Sequence, residues 1–275
     1  LKEFAQIMES YKVTAYKAYG TSAIRETENT LILQDQIEQR TGIWVETLSN
    51  SEQRFLDYKS IASKGETFRR IIEEKTAILD IGGGSIQISL FDKDTLVSTQ
   101  NLRLGVLRLQ ELLNHLNAGS TQMERLVDEL ATAQLDDYKK LYLKDREIKN
   151  IIIVDDYLSP WAVRKAHERG EVNAVVDRKA FSQLMEALRT KGTTELAKRM
   201  DIAEEKVPLV YISAILTRRI AELMGAELVW APGVTLCDGI AYEYAEQNKT
   251  FRGEHDFAED IIACALNISK RYNGS

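Results

Sequence analysis

Between residues 76 and 102 the sequence alternates short apolar runs with turns made of glycine and aspartate. The apolar runs are Thr76 to Ile81, Gln87 to Phe91 and Leu96 to Leu102, and the turns are Gly82-Gly83-Gly84 and Asp92-Lys93-Asp94. Short runs of this kind, separated by turn residues, predict neighbouring strands that pair antiparallel. The segment therefore predicts a β-meander.

Helices and strands alternate on both sides of this meander. Apolar spacing and capping residues predict helices from Asn29 to Arg40, from about Asn50 to Ser63, after Gly105, from Ser159, from Arg178 to Arg189, from Pro208 to Met224 and from about Leu236 to Glu246. β-Branched and aromatic runs predict further strands at Val13 to Tyr19, Ile43 to Leu48, Ile151 to Val154 and Ala226 to Trp230. This order predicts an α/β fold with a mainly parallel sheet that includes the antiparallel meander.

The segment Asp80-Ile81-Gly82-Gly83-Gly84-Ser85 carries the clearest chemical signal. Successive glycines at a hairpin tip let backbone N–H groups converge on an oxyanion without a Cβ in the way, and Ser85 adds a hydroxyl donor. Asp80, at the end of its strand, is placed to hold Mg²⁺ or one of its waters beside a phosphate. The alternative is a flexible glycine hairpin without a ligand, because three glycines alone are a weak motif.

Two other segments strengthen the phosphate interpretation. They are Thr21-Ser22-Ala23-Ile24-Arg25 and Leu104-Gly105-Val106-Leu107-Arg108-Leu109. Together with residues 80–85 they resemble, in order and spacing, the TSAxR, DIGGGS and LGxxRL motifs of the exopolyphosphatase and guanosine pentaphosphate phosphohydrolase family. The resemblance extends from about Val13 to Tyr244 and identifies the chain as a member of that family.

The resemblance implies a fold. Members have the actin-like ATPase fold, with two ribonuclease-H-like domains that face each other across a cleft. It places the end of the first domain at residues 1–73, the second domain at 74–253 and the start of a helical C-terminal region at 254–275. The family's first phosphate loop, of DIGSNS type, is expected before Leu1, so the first domain is expected to be incomplete.

The resemblance also implies roles for individual residues. Arg25 of the TSAxR motif is expected to hold phosphate oxygens, although an arginine at such a turn is more often solvated or ion-paired. Arg108 is expected to be structural. The family's water-activating glutamate follows an SGxxEA pattern, which falls on Ser49 to Arg54 and places Gln53 at the glutamate position, with Glu52 one residue earlier.

Glu52 and Gln53 remain alternatives for the water-activating residue. A glutamine is unable to take a proton as a general base but orients an attacking water, whereas Glu52 ionises and is the favoured base. Ser49 and Glu52 also have the spacing of a capping box, in which the glutamate bonds back to the backbone at the helix start. A purely structural role for Glu52 is therefore the competing interpretation.

Two turns of the second domain depart from the family pattern. Members carry a glycine-rich turn where this sequence has Asp155-Asp156-Tyr157-Leu158, and Cys237 replaces the usual arginine of a later turn. Both turns flank the nucleotide pocket in the wider fold. The changes favour a linear polyphosphate, which offers no base to recognise, over a guanosine or adenosine nucleotide.

Composition limits the partners and the compartment. A net charge of −6 argues against a general nucleic-acid surface, and no apolar run approaches the roughly 18 residues of a membrane span. Two cysteines, Cys237 and Cys264, provide neither a disulfide framework nor a CxxC metal site, which is typical of a reducing cytosol. The first residue, Leu1, indicates that the natural start lies further upstream.

The sequence therefore predicts an enzyme that uses Mg²⁺ to hydrolyse the terminal phosphate of inorganic polyphosphate. The predicted site consists of Gly82, Gly83, Gly84 and Ser85 for phosphate, Asp80 for the metal, and Arg25 with Glu52 or Gln53 for catalysis. A sensor that binds polyphosphate or guanosine tetra- or pentaphosphate without turnover, linked to the stringent response, is the alternative. A sugar or acetate kinase of the same fold is disfavoured by the TSAxR and LGxxRL motifs. A sheet edge left uncovered by the missing meander predicts a homodimer.

Overall fold

The computed structural model describes residues 1–93, 95–116 and 120–248, together with residues 257–259, 261–262, 265–266 and 269. Contacts between Cα atoms divide the chain into two compact units, Leu1–Arg54 and Phe55–Ser275. The domain boundaries expected after residues 73 and 253 stay predictions, and most of the expected helical region at 254–275 lies outside the described residues.

The smaller unit contains short helices and a pair of parallel strands. Its elements are α1 Lys2–Ser10, β1 Tyr19–Gly20, α2 Ser22–Arg25, α3 Thr30–Thr41, β2 Glu46–Thr47 and the start of α4 Asn50–Ala62. Helix α3 ends as its sequence predicts, because Gly42 takes the left-handed conformation with φ of 70°. The strand predicted from Val13 to Tyr19 is wrong in length. Val13 and Tyr16 are exposed, so no apolar partner stabilises an extended pairing there.

The larger unit contains the rest of the secondary structure. Its helices are α5 Glu66–Ile72, α6 Val106–His115, α7 Ser120–Tyr138, α8 Leu158–Glu168, α9 Arg178–Thr190, α10 Thr193–Met200, α11 Val207–Met224 and α12 Leu236–Gln247. Its strands are β3 Thr76–Ile81, β4 Ile86–Asp92, β5 Thr95–Leu102, β6 Asn150–Asp155, β7 Ala174–Val176 and β8 Leu228–Ala231. A π-helical turn, Lys139–Leu143, follows α7, and a 3₁₀ turn, Glu204–Lys206, precedes α11.

The strands of the larger unit form one mixed sheet. Among the described residues its order is β5-β4-β3-β6-β8-β7. Strands β3, β4 and β5 pair antiparallel as the predicted meander, whereas β3, β6 and β8 are parallel neighbours. The prediction of an α/β fold with a mainly parallel sheet and a meander is therefore confirmed. The short edge strand β7, antiparallel to β8, was not predicted.

Both faces of this sheet are buried, which explains the continuous apolar runs of its central strands. Alternate residues of β3 point into different cores: Ala77 and Leu79 pack on one face with α6, α7 and α11, while Ile78 packs on the other with Tyr58. Phe257 also lies in this second core, against the rings of Tyr58 and Phe68. None of the described helices has both the length and the apolar character that crossing a membrane requires.

Candidate functional site

The turn between β3 and β4, here called the glycine turn, consists of Gly82-Gly83-Gly84-Ser85. Ile81 pairs with Ile86 across the hairpin and with Asp155 on the parallel strand β6. The glycine turn therefore lies at the edge where the parallel strands end, which is where open α/β sheets bind their ligands. The amide of Gly82 closes the turn by donating to the carbonyl oxygen of Ser85 at 3.0 Å, so this amide is not available to a ligand.

The first turn of α6 binds the glycine turn through backbone hydrogen bonds. The amide of Val106 donates to the carbonyl oxygen of Gly82 at 3.0 Å. The amides of Leu107 and Arg108 both donate to the carbonyl oxygen of Gly83, at 2.9 and 3.1 Å. These bonds satisfy the N–H groups that a helix start leaves without intrahelical partners, and they fix the direction of two peptide groups in the glycine turn.

The third peptide group is held by a side chain. Nε of Arg108 donates to the carbonyl oxygen of Gly84 at 3.0 Å. In a trans peptide the C=O and the following N–H point in opposite directions. The N–H groups of Gly83, Gly84 and Ser85 therefore point away from α6. Within the described part of the chain no group accepts a hydrogen bond from any of the three.

Close packing against backbone, and not an unusual dihedral angle, requires glycine at position 105, whereas a Cβ on Gly83 would meet only the exposed side chain of Leu107. A Cβ atom on Gly105, the residue before α6, would lie 2.2 Å from the carbonyl oxygen of Gly83 and from the carbonyl carbon of Gly84. Gly105 itself has φ of −70°, which any residue adopts. A Cβ on Gly83 would lie 2.8 Å from Cδ1 of Leu107. Glycine thus lets the helix start approach the turn closely enough to bind its carbonyl groups.

Asp80 lies two residues before the glycine turn and is half-buried. It pairs across the hairpin with Gln87, whose Nε2 lies 3.4 Å from its Oδ2. No cluster of three or more His, Cys, Asp or Glu side chains suited to a metal occurs among the described residues. Mg²⁺ commonly binds through one or two carboxylates together with the phosphates of a substrate, so a single carboxylate beside an anion site fits that ion.

The turn after β6, here called the aspartate turn, is Asp155-Asp156-Tyr157-Leu158. The carboxylate of Asp155 is buried and accepts hydrogen bonds from the amides of Leu158 and Ser159 at 2.8 and 2.7 Å. The hydroxyl of Ser213 donates to the same carboxylate at 2.7 Å. The start of α8, a position that suits an anion, is therefore already bound to a carboxylate of the protein itself.

Asp156 lines a cavity of about 370 Å³ next to the aspartate turn. The wall also includes Ser159 and Arg164 of α8 and Thr235 of the turn after β8. Burial, followed by the neighbouring charge of Asp155, raises the pKa of Asp156. This surface presents the carboxyl group of Asp156 beside the basic side chains of Arg164 and His167, whereas the glycine turn presents backbone N–H donors.

The smaller unit brings Arg25 and the start of α4 together. Strands β1 and β2 are parallel neighbours, with Gly20 opposite Thr47, so the segments that follow them lie side by side. Nη1 of Arg25 donates to the carbonyl oxygen of Leu48 at 2.6 Å. The role of Arg25 at a phosphate stays a prediction, and the structure adds a contact that fixes its guanidinium next to Ser49.

Glu52 makes the capping box that its spacing with Ser49 predicts. The amide of Ser49 donates to Oε2 of Glu52 at 2.8 Å, and the amide of Glu52 donates to the hydroxyl of Ser49 at 3.2 Å. Hydrogen bonding of the carboxylate to the backbone amide of Ser49, and then to the Ser49 side chain, lowers the pKa of Glu52, so the exposed carboxylate is ionised at neutral pH. Gln53 follows in the same helical turn and is half-buried. Which of the two activates water stays open.

Comparison with known proteins identifies the family. The model of the Ppx/GppA phosphatase family matches residues 1–248, and the chain belongs to that family. The family prediction made from the three motifs is thus confirmed.

Relatives match parts of the chain. The bifunctional 3-dehydroquinate synthase/phosphatase of Fusobacterium nucleatum is 24% identical over 150 residues, which are 51% of this chain and 22% of that protein. Exopolyphosphatase 1 of Mycobacterium tuberculosis is 30% identical over 90 residues, 32% of this chain and 25% of that protein. The chain thus matches a quarter or less of the length of these curated relatives.

Solved structures match nearly the whole chain. The exopolyphosphatase of Cytophaga hutchinsonii superposes with a TM-score of 0.71 at 18% identity, over 90% of this chain and 80% of that one. The Ppx/GppA family member of Aquifex aeolicus gives 0.67 at 15% identity, over 90% and 79%. These similarities confirm the predicted fold class, the two-domain ribonuclease-H-like fold of this family.

Proposed function

We propose that the protein hydrolyses the terminal phosphoanhydride bond of inorganic polyphosphate. One observation carries the proposal: the N–H groups of Gly83, Gly84 and Ser85 point to one side of the glycine turn and have no acceptor among the described residues. Fixed donors aimed at developing negative charge stabilise a transition state because they need no reorganisation during the reaction. Membership of a phosphatase family supports the same chemistry.

Asp80 is the residue that would hold Mg²⁺ or one of its waters. When bound, the ion neutralises charge on the phosphate oxygens. The residues of the chain carry the other parts of the reaction: the amides of the glycine turn bind the terminal phosphoryl group, and Arg25 holds phosphate oxygens through its planar guanidinium.

Glu52 is the proposed general base. The bond from the amide of Ser49 uses Oε2, and within the described part of the chain no donor bonds to Oε1. Oε1 is therefore free to accept a proton from water while Oε2 keeps the helix start in place. The lowered pKa of Glu52 keeps the carboxylate in the ionised form that a base requires.

The aspartate turn supports inorganic polyphosphate over a nucleotide as the substrate. A second phosphate or a ribose phosphate at the start of α8 would compete with the buried carboxylate of Asp155 for the amides of Leu158 and Ser159. The cavity beside it is lined by the carboxyl group of Asp156. A linear polyphosphate is held by the glycine turn, the metal and Arg25 and needs no group at the aspartate turn, so these features leave its binding intact.

A sensor that binds polyphosphate without turnover is the second candidate. Glu52 already serves the capping box, and Gln53 occupies the position that the family motif gives to its glutamate. A protein with the phosphate donors in place but no base would bind the same ligand and release nothing.

Phosphate release by the full-length protein separates the two candidates. With Mg²⁺ and long-chain polyphosphate, we expect release that falls at least about a hundredfold in Glu52→Gln and less in Gln53→Ala, because removing a general base typically costs about 10²–10⁴ in rate. Glu46→Gln, which alters an exposed glutamate of the same unit, is the control and should act like the parent. Binding without release supports the sensor, and a larger loss in Gln53→Ala than in Glu52→Gln assigns the water to Gln53.

A further inference from the structure

The three outward amides of the glycine turn are not held in the same way. The peptide groups that carry the N–H of Gly83 and of Gly84 are fixed by backbone amides of α6, which remain after any substitution other than proline. The peptide group that carries the N–H of Ser85 is bound at its carbonyl oxygen by a side chain, Nε of Arg108. One residue thus controls one of the three donors.

We propose that Arg108 is a positioning residue for phosphate binding, which orients the Gly84–Ser85 peptide so that the N–H of Ser85 faces the ligand. The inference rests on the proposed function of the glycine turn. Arg108 binds the turn at two points, since its own amide also donates to the carbonyl oxygen of Gly83 at 3.1 Å. The structural role expected for Arg108 from the sequence is therefore a role in the site itself.

The residue type fits this task. Nε of a guanidinium is a rigid donor in a planar group, whereas the ammonium of lysine is a mobile point charge. Gly84 has no Cβ and allows the peptide on either side of it to rotate at little steric cost. Without the bond to Arg108 the Gly84–Ser85 peptide is free to turn its carbonyl oxygen toward the phosphate and its N–H away. This rotation of the peptide removes one N–H donor from the phosphate and places the carbonyl oxygen of Gly84 where it repels the phosphate.

The test uses the full-length protein, tripolyphosphate as the ligand and two variants. Arg108→Met keeps the length of the side chain but removes the donor, and Arg108→Lys keeps the charge without the planar Nε. We expect both to weaken tripolyphosphate binding at least about tenfold by calorimetry, because the hydrogen bond from the N–H of Ser85 to the charged phosphate is lost. Arg125→Met, which removes an exposed arginine of α7 that pairs with Glu129, is the matched control and should bind within about twofold of the parent.

Nuclear magnetic resonance provides the readout that a purely structural role would not move. In the parent, tripolyphosphate should shift the amide signals of Gly83, Gly84 and Ser85. In Arg108→Met the Ser85 shift should disappear while those of Gly83 and Gly84 remain. A Ser85 response equal to that of the parent overturns the inference, and so does the loss of all three responses together.

A ligand-free measurement separates this inference from the proposed function. The carbonyl ¹³C shift of Gly84 reports its hydrogen bond directly, so it should differ between the parent and both Arg108 variants before any ligand is added. An unchanged shift contradicts the positioning role even if the parent binds tripolyphosphate. If the amides of the glycine turn in the parent do not respond to tripolyphosphate, the proposed function is wrong. A Gly84 shift that still changes in the Arg108 variants would then show only that Arg108 orients the Gly84–Ser85 peptide. Thermal melting of each variant checks that it is folded, and Arg108→Lys carries the test if Arg108→Met is not.

Discussion

The glycine turn and the aspartate turn follow neighbouring parallel strands and lie at the same edge of one sheet. They differ in what the backbone N–H groups at each turn bind. In the glycine turn the carbonyl groups of the three glycines are bound to α6, and the amides of Gly83, Gly84 and Ser85 have no acceptor among the residues that the structure describes. In the aspartate turn the carboxylate of Asp155 binds the amides at the start of α8.

The comparison shows that position in the fold does not by itself define an anion site. Both turns lie where ligands bind in open α/β sheets, but a helix start that already binds an internal carboxylate has no donors left for a ligand. What distinguishes the glycine turn is the partner of its carbonyl groups, since that partner decides which way the amides face. We expect one phosphate site at this edge of the larger unit, at the glycine turn.

The largest effect on stability is expected from removing the carboxylate of Asp155 in the aspartate turn. Asp155→Ala should lower the free energy of unfolding by about 3 kcal/mol, because two amides and the hydroxyl of Ser213 lose their buried acceptor. Asp177→Ala is the matched control. Asp177 caps α9 through one bond to the amide of Ala180 and is exposed, so its loss should cost about 1 kcal/mol.

Tripolyphosphate binding tells whether the two turns are independent. In Asp155→Ala the affinity should stay within about twofold of the parent, since the side-chain bonds of Asp155 go to Leu158, Ser159 and Ser213 and none goes to the glycine turn. If Asp155→Ala instead gains affinity or binds a second tripolyphosphate, the added phosphate should lie at the start of α8, where the substitution frees the amides of Leu158 and Ser159. A large loss of affinity contradicts the assignment of phosphate to the glycine turn alone.

A smaller effect is expected from disturbing the contact behind the glycine turn. Gly105→Ala places a Cβ 2.2 Å from the backbone of the turn, and overpacking of this kind costs about 2 kcal/mol. Displaced amides should also weaken tripolyphosphate binding about tenfold or more. Gly192→Ala is a close control, because Gly192 precedes α10 with φ of −68° and ψ of 151°, nearly the values at Gly105, and a Cβ there has no neighbour within 4 Å.

Denaturant unfolding and calorimetry of these two glycine variants decide the point. Both lose the same preference for glycine at a helix start, so the difference between them measures the close contact. Equal stability and equal tripolyphosphate affinity in the two variants would show that α6 does not hold the glycine turn.

The smallest effect concerns a carboxylate that caps a helix at the surface. Glu52 binds the amide of Ser49 as Asp155 binds those of α8, but it is exposed, so its contribution to stability is about 0.5 kcal/mol at neutral pH. Because the folded pKa of Glu52 is lowered, that contribution is present above its unfolded pKa, about 4.3, and is lost as the pH falls through the folded pKa.

Urea unfolding at a series of pH values measures this loss. Between neutral pH and about pH 3 the parent should lose slightly more stability than Glu52→Gln, whose amide keeps the capping geometry without titrating. Parallel curves for the two proteins would mean that the carboxylate of Glu52 does not bind Ser49 in solution.

Much of the fold follows from the sequence because its signals are local. The meander and the helices from Asn29, Asn50 and Pro208 are recognisable from apolar spacing, capping residues and glycine stops. The strand expected from Val13 fails because its side chains are exposed, which β-propensity does not reveal. Strand β7 was missed because three residues give too short a pattern.

The site is less predictable because its decisive contacts join distant residues. Three glycines before a serine indicate an anion loop, but the direction of its amides depends on Gly105 and Arg108, more than twenty residues later. The LGxxRL motif contained that signal, since a glycine before a helix and an arginine in its first turn suit a close backbone contact. The missing glycines of the aspartate turn were visible, but the occupation of α8 by Asp155 was not.

A crystal structure of the full-length protein with tripolyphosphate tests whether the glycine turn is the phosphate site. We expect a terminal phosphate with oxygens about 2.7–3.1 Å from the backbone nitrogens of Gly83, Gly84 and Ser85, with the amides of Leu158 and Ser159 still bound to Asp155. A phosphate bound at the start of α8 in place of the Asp155 carboxylate, with the glycine turn empty, would contradict this assignment.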